Sequence, residues 1–317
     1  MAKIIITGGA GFIGSHVCDK LLLDNHKLAI IDNLSSGTID NLSQSAGIKL
    51  YKLDTEKDDL STIFEVENPD YVIHLAAQTS VNYSLQNPCY DANVNIISSI
   101  KLLELCKNYG VKRLIAASTA AVYGTPEYTP IDEKHPLHPI SQYGLSKLTM
   151  EKYIEMSGIP YIIFRFSNAY GPRQKTSKES GVISIFHEAM INDEPINIYG
   201  DGMQVRDFVY VEDIAKIFSE SIKIRKENFI VNFSTNIGTR LNDLYDKMKI
   251  IYNHNKTPQY LPKRNGDIKD SILSNKKAME IFSVSNFTSL ENGLEKLNKF
   301  YTDTKNFKTS KRSVKCK

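Results

Sequence analysis

Tyr143 and Lys147, four residues apart in Tyr143-Gly144-Leu145-Ser146-Lys147, are the pair whose types and spacing could do proton chemistry. On a helix this spacing stacks both side chains on one face. A free phenol titrates near 10, so a tyrosine acting as a base near pH 7 needs its pKa lowered by roughly 3 units, about 4 kcal/mol of preference for the phenolate. An ammonium beside it is one charge that could supply this. The spacing alone is common on helix surfaces, and its context decides its meaning. Upstream, the run VKRLIAAS ends in Ser118-Thr119-Ala120-Ala121-Val122-Tyr123-Gly124. The Thr119 hydroxyl could share a substrate proton through a short hydrogen bond, and Ser118 could shape the site or touch a cofactor.

A second constellation opens the chain. The run KIIIT enters Thr7-Gly8-Gly9-Ala10-Gly11-Phe12-Ile13-Gly14, in which Gly9, Gly11 and Gly14 satisfy G-x-G-x-x-G between a strand and a helix. Glycine permits the tight turn, lets backbone approach a pyrophosphate, and allows the helix to aim its positive end at the phosphates. The next strand ends in Asp32, placed to accept hydrogen bonds from adenosine ribose hydroxyls and to repel a 2′-phosphate, so NAD is favoured over NADP. A bound nicotinamide ring would add a second cation near Tyr143. Candidate cofactor contacts are Gly8, Gly11, Phe12, Ile13 and Gly14 in the turn, and Asn33, Ser36 and Gly37 in DNLSSG. Asp54, with Thr55, could reach the adenine at the end of the third strand, or simply cap a helix. Leu75, Ala76, Ala77 and Gln78 follow the fourth strand, where small residues leave room. Asn93 could anchor a loop near the pyrophosphate or be a surface polar residue. His74 reads as packed, not catalytic.

These residues need a scaffold, and the chain supplies its pattern. KIIIT, LAIID, IKLYKLD, YVIHLAA, VKRLIAAS and IPYIIFRFS alternate with amphipathic stretches near 11–24, 60–67, 91–109 and 142–157, the signature of a doubly wound parallel α/β sheet. Residues 1–165 are read as a Rossmann-type NAD-binding domain. Residues 166–317, richer in Gly, Pro and Asn with helices near 182–190 and 212–222, are read as a smaller substrate domain. The apolar run Phe229–Phe233 is expected to return to the main sheet, making the second domain discontinuous.

At 317 residues and 41% hydrophobic, the chain can bury a large core. No apolar run approaches the roughly 20 residues that cross a bilayer, and MAKIIITGG lacks a signal peptide's cleavage site, so a cytoplasmic protein is expected. The four cysteines are far apart with no C-x-x-C pair, arguing against a zinc site or disulfide framework. From Lys305 onward six basic residues occur without an acid, and subtracting them from the net +3 leaves −3. The body therefore gives no reason to expect nucleic acid, and the tail, from about residue 303, reads as a frayed, solvated end.

TGGAGFIG, DNLSSG, HLAAQ, STAAVYG, QYGLSK, RFSNAYGPRQ and GDGMQVRDFVYVEDIA, in this order, resemble the extended short-chain dehydrogenase/reductases, and most closely their UDP-glucose 4-epimerase-like branch. The resemblance runs to about residue 300. It implies a tightly held NAD, Tyr143 as the base acting on a sugar 4-hydroxyl, Lys147 and Thr119 beside it, and a homodimer through helices near 91–109 and 142–157. It also implies a UDP-sugar site. Asn168 and Arg206 match its diphosphosugar-binding residues, Arg264 a second phosphate arginine and Asp267 a uridine contact, and Ser80 falls among its substrate contacts. Ser271 matches the position beside the sugar's C2 substituent, although it could merely cap a strand. Tyr199, Gly200 and Phe208 could frame the base or belong to the core. Relatives that dehydrate dTDP-glucose carry an acid pair after the catalytic threonine, and UDP-glucuronate decarboxylases keep a glutamate there. Ala120 and Ala121 cannot transfer protons, so a 4-epimerase is expected, with those two reactions as alternatives.

Overall fold

The computed structural model describes residues 1–176, 181–263, 268–284 and 286–314, with side chains described as far as residue 303. Six β-branched runs of the first half form strands β1 (Lys3–Thr7), β2 (Lys27–Ile31), β3 (Ile48–Tyr51), β4 (Tyr71–His74), β5 (Arg113–Thr119) and β6 (Tyr161–Phe166). Between and after them come helices α1 (Phe12–Leu23), α2 (Ser61–Glu67), α3 (Val81–Gln86), α4 (Pro88–Ala92), α5 (Ser98–Asn108) and α6 (Gln142–Met156). The second half adds short strands β7 (Asn168–Tyr170), β8 (Asn197–Tyr199) and β9 (Val205–Tyr210), then β10 (Phe229–Phe233), β11 (Gly238–Arg240), β12 (Gln259–Leu261) and β13 (Asp270–Ser271). Its helices are α7 (Val182–Ile191), α8 (Val211–Lys223), α9 (Leu241–Tyr252), α10 (Lys276–Phe282) and α11 (Leu290–Val314).

The main sheet has seven strands in the order β10-β6-β5-β4-β1-β2-β3, all pairs parallel. Parallel strands are covered on both faces, which explains runs such as KIIIT that do not alternate in polarity. Their side chains still alternate in direction. Ile4, Ile6, Leu28, Ile30 and Ile73 point to a core shared with α1, α8 and α10. Ile5, Ala29, Ile31 and Val72 point to a core shared with α2, α5 and α6. The run Phe229–Phe233 does return to the sheet, pairing with β6 from Phe229↔Ile162 to Phe233↔Phe166. The order reverses between β1 and β4, and in such sheets the crevice outside the strands' carboxyl ends receives ligands.

A separate small sheet is built on β9, flanked by β11 on one side and by β7 and β13 on the other. Beneath it lies a third core in which Phe186, Tyr210, Leu244 and Leu294 bring together α7, β9, α9 and α11.

Two local expectations are corrected. The stretch 91–109 is not one uniform helix, because Asn93–Ile97 forms a π-helical turn between α4 and α5. Nor is the basic end frayed throughout: α11 runs to Val314. Once its first turns are seated on the third core, extension through residues free of Gly and Pro requires no new nucleation.

Candidate active site

A cleft of about 660 Å³ opens at the carboxyl ends of β1, β4, β5 and β6. The glycine-rich turn forms its floor, and two glycines there are sterically required. A side chain on Gly8, which has φ +72°, would meet the Ala76 backbone nitrogen at 2.7 Å, and one on Gly14 would meet the Gly8 carbonyl oxygen at 2.2 Å. This close packing leaves the first turn of α1 directed at the cleft, with no side chain capping it at Gly11. Such a helix end suits a pyrophosphate.

Asp32 is buried at the cleft wall, its Oδ2 accepting the Ala10 N–H at 2.9 Å and its Oδ1 the Leu34 N–H at 2.8 Å. Two fixed N–H donors hold this carboxylate where a ribose would lie. Asn33, Ser36, Asp54 and Thr55 line the same end. Asp54 lies three residues beyond β3 instead of ending it. It accepts Asn33 Nδ2 at 2.9 Å and the Glu56 N–H at 2.9 Å; burial opposes its charge, but these bonds outweigh that and hold its pKa below the usual carboxylate value. Gly37 does not line the cleft: it is buried against the Ala10–Gly11 backbone, which a side chain would meet at 2.7 Å. These residues fit a dinucleotide, with the glycine turn for its pyrophosphate and Asp32 for its adenosine ribose.

The opposite rim, Leu75 to Ser80, lines the cleft and is held by two buried polar chains. In one, Thr7 Oγ1 accepts the N–H groups of Leu75 and Ala76, both at 3.2 Å, and lies 2.7 Å from His74 Nδ1. His74 Nε2 is 2.9 Å from Ser99 Oγ, which donates to the Asn95 carbonyl at 2.7 Å. A neutral ring with its proton on Nε2 satisfies every member, and burial lowers the His74 pKa to about 3. In the other chain, Asn95 Oδ1 accepts the Gln78 N–H at 2.9 Å, while its Nδ2 donates to the Gln78 carbonyl at 3.0 Å, Asp91 Oδ1 at 3.1 Å and Ser146 Oγ at 3.1 Å. The loop anchor is therefore Asn95, not Asn93, which is exposed and outside the cleft lining. The π-helical turn changes which face these residues occupy, a shift regular helical spacing does not reveal.

Tyr143, Lys147, Ser118 and Thr119 meet in the middle of the cleft. Ser141 caps α6 through the Gly144 N–H, and Ser84 Oγ accepts the Tyr143 N–H at 3.1 Å. At Gly144 the helix passes the turn Ala120–Val122 so closely that a side chain would lie 2.6 Å from the Ala121 carbonyl oxygen. That approach brings Tyr143 to Thr119. Thr119 Oγ1 accepts the Ala121 N–H at 3.1 Å, leaving its own proton available to a partner. Burial pushes the Tyr143 phenol up to about 12, with the Thr119 hydrogen bond acting against that rise, and brings the Lys147 ammonium down to about 8. The lowering of the phenol expected from sequence is thus not achieved by this arrangement alone. Desolvation outweighs the Thr119 hydrogen bond, and the nearby Asp91 carboxylate adds to the rise.

On the sugar side the small sheet gathers three sequence candidates. Asn168 donates to the Asp207 carbonyl at 3.1 Å, Arg206 Nη1 donates to the Val205 carbonyl at 2.9 Å, and Ser271 pairs in register with Arg206. None of the three lines the cleft itself. Ser80 does, and its hydroxyl accepts the Tyr83 N–H at the start of α3. Phe208 is a core residue, packed edge-on against Tyr170. Arg264 and Asp267 lie outside the described residues. Sequence reasoning took only Asn168 from RFSNAYGPRQ, although it is Phe166, Ser167, Ala169, Arg173 and Gln174 of that motif, with Lys175 and Thr176 after it, that line the cleft. Arg173 reaches back to Asp19 Oδ2 on α1 at 2.7 Å, an ion pair that the motif's cation hinted at but whose partner it could not indicate.

A doubly wound sheet with a glycine-rich dinucleotide turn, and a helix presenting tyrosine and lysine beside a threonine, define an extended short-chain dehydrogenase/reductase. Residues 4–232 match the NAD dependent epimerase/dehydratase family, and the chain belongs to it. It is 33% identical over 307 residues to a UDP-glucose 4-epimerase of Mycolicibacterium smegmatis, covering 94% of this chain and 98% of that protein. It is similar to the solved structure of a Thermotoga maritima UDP-glucose 4-epimerase with UDP-glucose, with TM-score 0.91, 40% identity, and 95% and 99% of the two chains covered. A UDP-N-acetylglucosamine 4-epimerase of Methanobrevibacter ruminantium, in complex with UDP-N-acetylmuramic acid, superimposes with TM-score 0.90 at 34% identity, covering 96% and 99%. NAD is accordingly the cofactor of this chain.

The glycine turn makes a direct prediction. Gly14→Ala should drive the α1 start away from Gly8, and the variant should leave size-exclusion chromatography with little bound NAD. Retention of NAD at the wild-type level would contradict the close packing described here.

Proposed function

We propose that this isomerase inverts C4 of a UDP-hexose. The observation that carries the reading is the turn after Thr119: it carries only methyl side chains at Ala120 and Ala121, and it packs against α6, the helix of Tyr143 and Lys147. Dehydration needs additional proton transfer at this place, which methyl groups cannot perform, whereas 4-epimerisation needs one proton and one hydride.

NAD, which the glycine turn and Asp32 would hold, would supply hydride acceptance from C4 and its return to the opposite face of the sugar. Tyr143 removes the 4-hydroxyl proton and later gives it back, so the net redox change is zero. Thr119, which hydrogen-bonds Tyr143, donates its proton toward the same sugar oxygen during the reaction. Lys147, with the charge of the bound nicotinamide ring, favours the phenolate against the desolvation that raises it. In this reading the seven-stranded sheet and its helices hold NAD, and the small sheet with its surrounding helices holds the nucleotide sugar. Asn168 and Arg206 turn toward the diphosphate, since a guanidinium fork suits phosphate oxygens better than the backbone carbonyls it now meets.

Incubation of the purified protein with UDP-glucose and with UDP-N-acetylglucosamine, without added NAD, is expected to yield the C4 epimer of at least one at unchanged mass. Tyr143→Phe should lower turnover by at least about a hundredfold. A product lighter by water or carbon dioxide, or a fully active Tyr143→Phe, would refute the proposal.

A further prediction concerns the sugar's C2 substituent. Ser271 is small and sits beside Arg206, so N-acetylated substrates should be accepted along with plain hexoses. Ser271→Tyr is expected to suppress turnover of the N-acetylated sugar while sparing the unsubstituted one. Equal losses on both would show that Ser271 is not the gate.

A homodimer belongs to the same reading. Tyr90, Ile97, Leu145, Tyr153 and Met156 are exposed apolar residues of the stretch from α4 to α5 and of α6. Pairing these helices with those of a second copy would cover them. Sedimentation velocity should report a dimer, and a monomer at micromolar concentration would remove this element.

A further inference from the structure

The helix that carries Tyr143 and Lys147 continues their stripe to a third titratable side chain, Glu151, four residues beyond Lys147. Glu151 is completely buried. On β6, Arg165 donates to it twice, Nε to Oε1 at 3.0 Å and Nη2 to Oε2 at 2.6 Å. On β5, Ser118 Oγ donates to Oε1 at 2.5 Å. Arg165 continues to the Tyr123 hydroxyl at 3.0 Å, and Tyr123 donates to Asn232 Oδ1 on β10 at 2.6 Å. The carboxylate is thus bolted to three strands of the sheet and to the residue preceding Thr119.

A buried ion pair of this kind is weak evidence for stability, because desolvation offsets most of the attraction. Its position is more informative. Lys147 is itself buried, and its ammonium meets the uncharged Met150 sulfur at 3.3 Å. The titratable and charged groups facing it are Asp91 from α4, His74 from β4, and Tyr143 and Glu151 from its own helix, with Arg165 lying beyond Glu151. Of these, the carboxylates of Glu151 and Asp91 favour its positive form while Tyr143 is a neutral phenol.

We propose that Glu151 is a positioning residue for the reaction: anchored by Arg165 and Ser118 one turn beyond Lys147, it keeps the ammonium in place and charged for Tyr143. The inference rests on the functional reading above and extends it to a residue outside the cleft lining. Burial is the largest influence on Lys147 and lowers its pKa; Glu151 is the first of the charges that oppose it. Without Glu151 the lysine would lose its proton closer to neutral pH, and the phenolate would lose its supporting cation.

The test uses the full chain with its bound NAD in two variants, Glu151→Gln and Glu151→Gln/Arg165→Gln. The double variant leaves no unpaired guanidinium and so decides the matter if the single variant fails to fold. Lys147 is titrated by NMR with isotope-labelled lysine, its signal assigned with Lys147→Ala, and the pH profile of turnover is recorded alongside. The expected result is a Lys147 midpoint lower by about one pH unit, with the alkaline limb of the turnover profile moving the same way. An unchanged midpoint in a variant with the wild-type circular dichroism spectrum overturns the proposal. So does a shifted midpoint with an unshifted limb. Should the wild type turn over no UDP-sugar, the functional reading fails, while the Lys147 titration still judges Glu151.

Discussion

The hydrogen-bonded chain from Thr7 through His74 to Ser99 is the constraint on which the cleft depends. It lies where the sheet order reverses, between β1 and β4, and it ties both strand ends to α5. Thr7 also holds the first two N–H groups after β4, so the loop carrying Ala76 is fixed against Gly8. The chain works with a neutral imidazole, which burial secures by keeping the His74 pKa near 3. A charged ring would have to donate from both nitrogens, and Thr7 would lose the acceptor for its own proton.

Around that point the protein solves a general problem of polar sites in a close-packed core. Buried polar groups are costly unless paired, so cleft walls that must remain polar are built as satisfied networks. Asn95 spends both ends of its amide on Gln78, and also reaches Asp91 and Ser146. Glu151 and Arg165 do the same below Ser118. Such walls hold the site's shape before any ligand arrives, which is what preorganised catalysis requires. The central trio differs in that Tyr143 and Lys147 are drawn by burial toward their neutral forms. Chemistry at the trio depends on charges introduced around it, whereas the walls are electrostatically complete.

Much of this was legible in the residues. The doubly wound sheet, the return of Phe229–Phe233, the glycine turn, Asp32 and the meeting of Tyr143, Lys147 and Thr119 follow from strand runs, turn chemistry and helical spacing, all of which are local. The misplacements share a cause. Asn93 is read as a loop anchor or a surface polar residue and proves exposed, while the anchor is Asn95, because regular periodicity cannot anticipate a π-helical turn. Gly37 was read as a cofactor contact, yet its neighbour is the Ala10 backbone, distant in sequence. Phe208 is no misplacement: by sequence its ring suits a base or a core, and its neighbours decide for the core.

The sequence by itself determined which groups are available for chemistry and which short segments present them, because backbone propensity and i, i+4 geometry act within a few residues. Tertiary structure alone decided the direction of the Tyr143 and Lys147 pKa shifts, the pairing of Glu151 with Arg165, and the placing of Ser271 beside Arg206. Desolvation, buried charge pairing and strand register all depend on which distant segments come together, and no local pattern encodes that meeting.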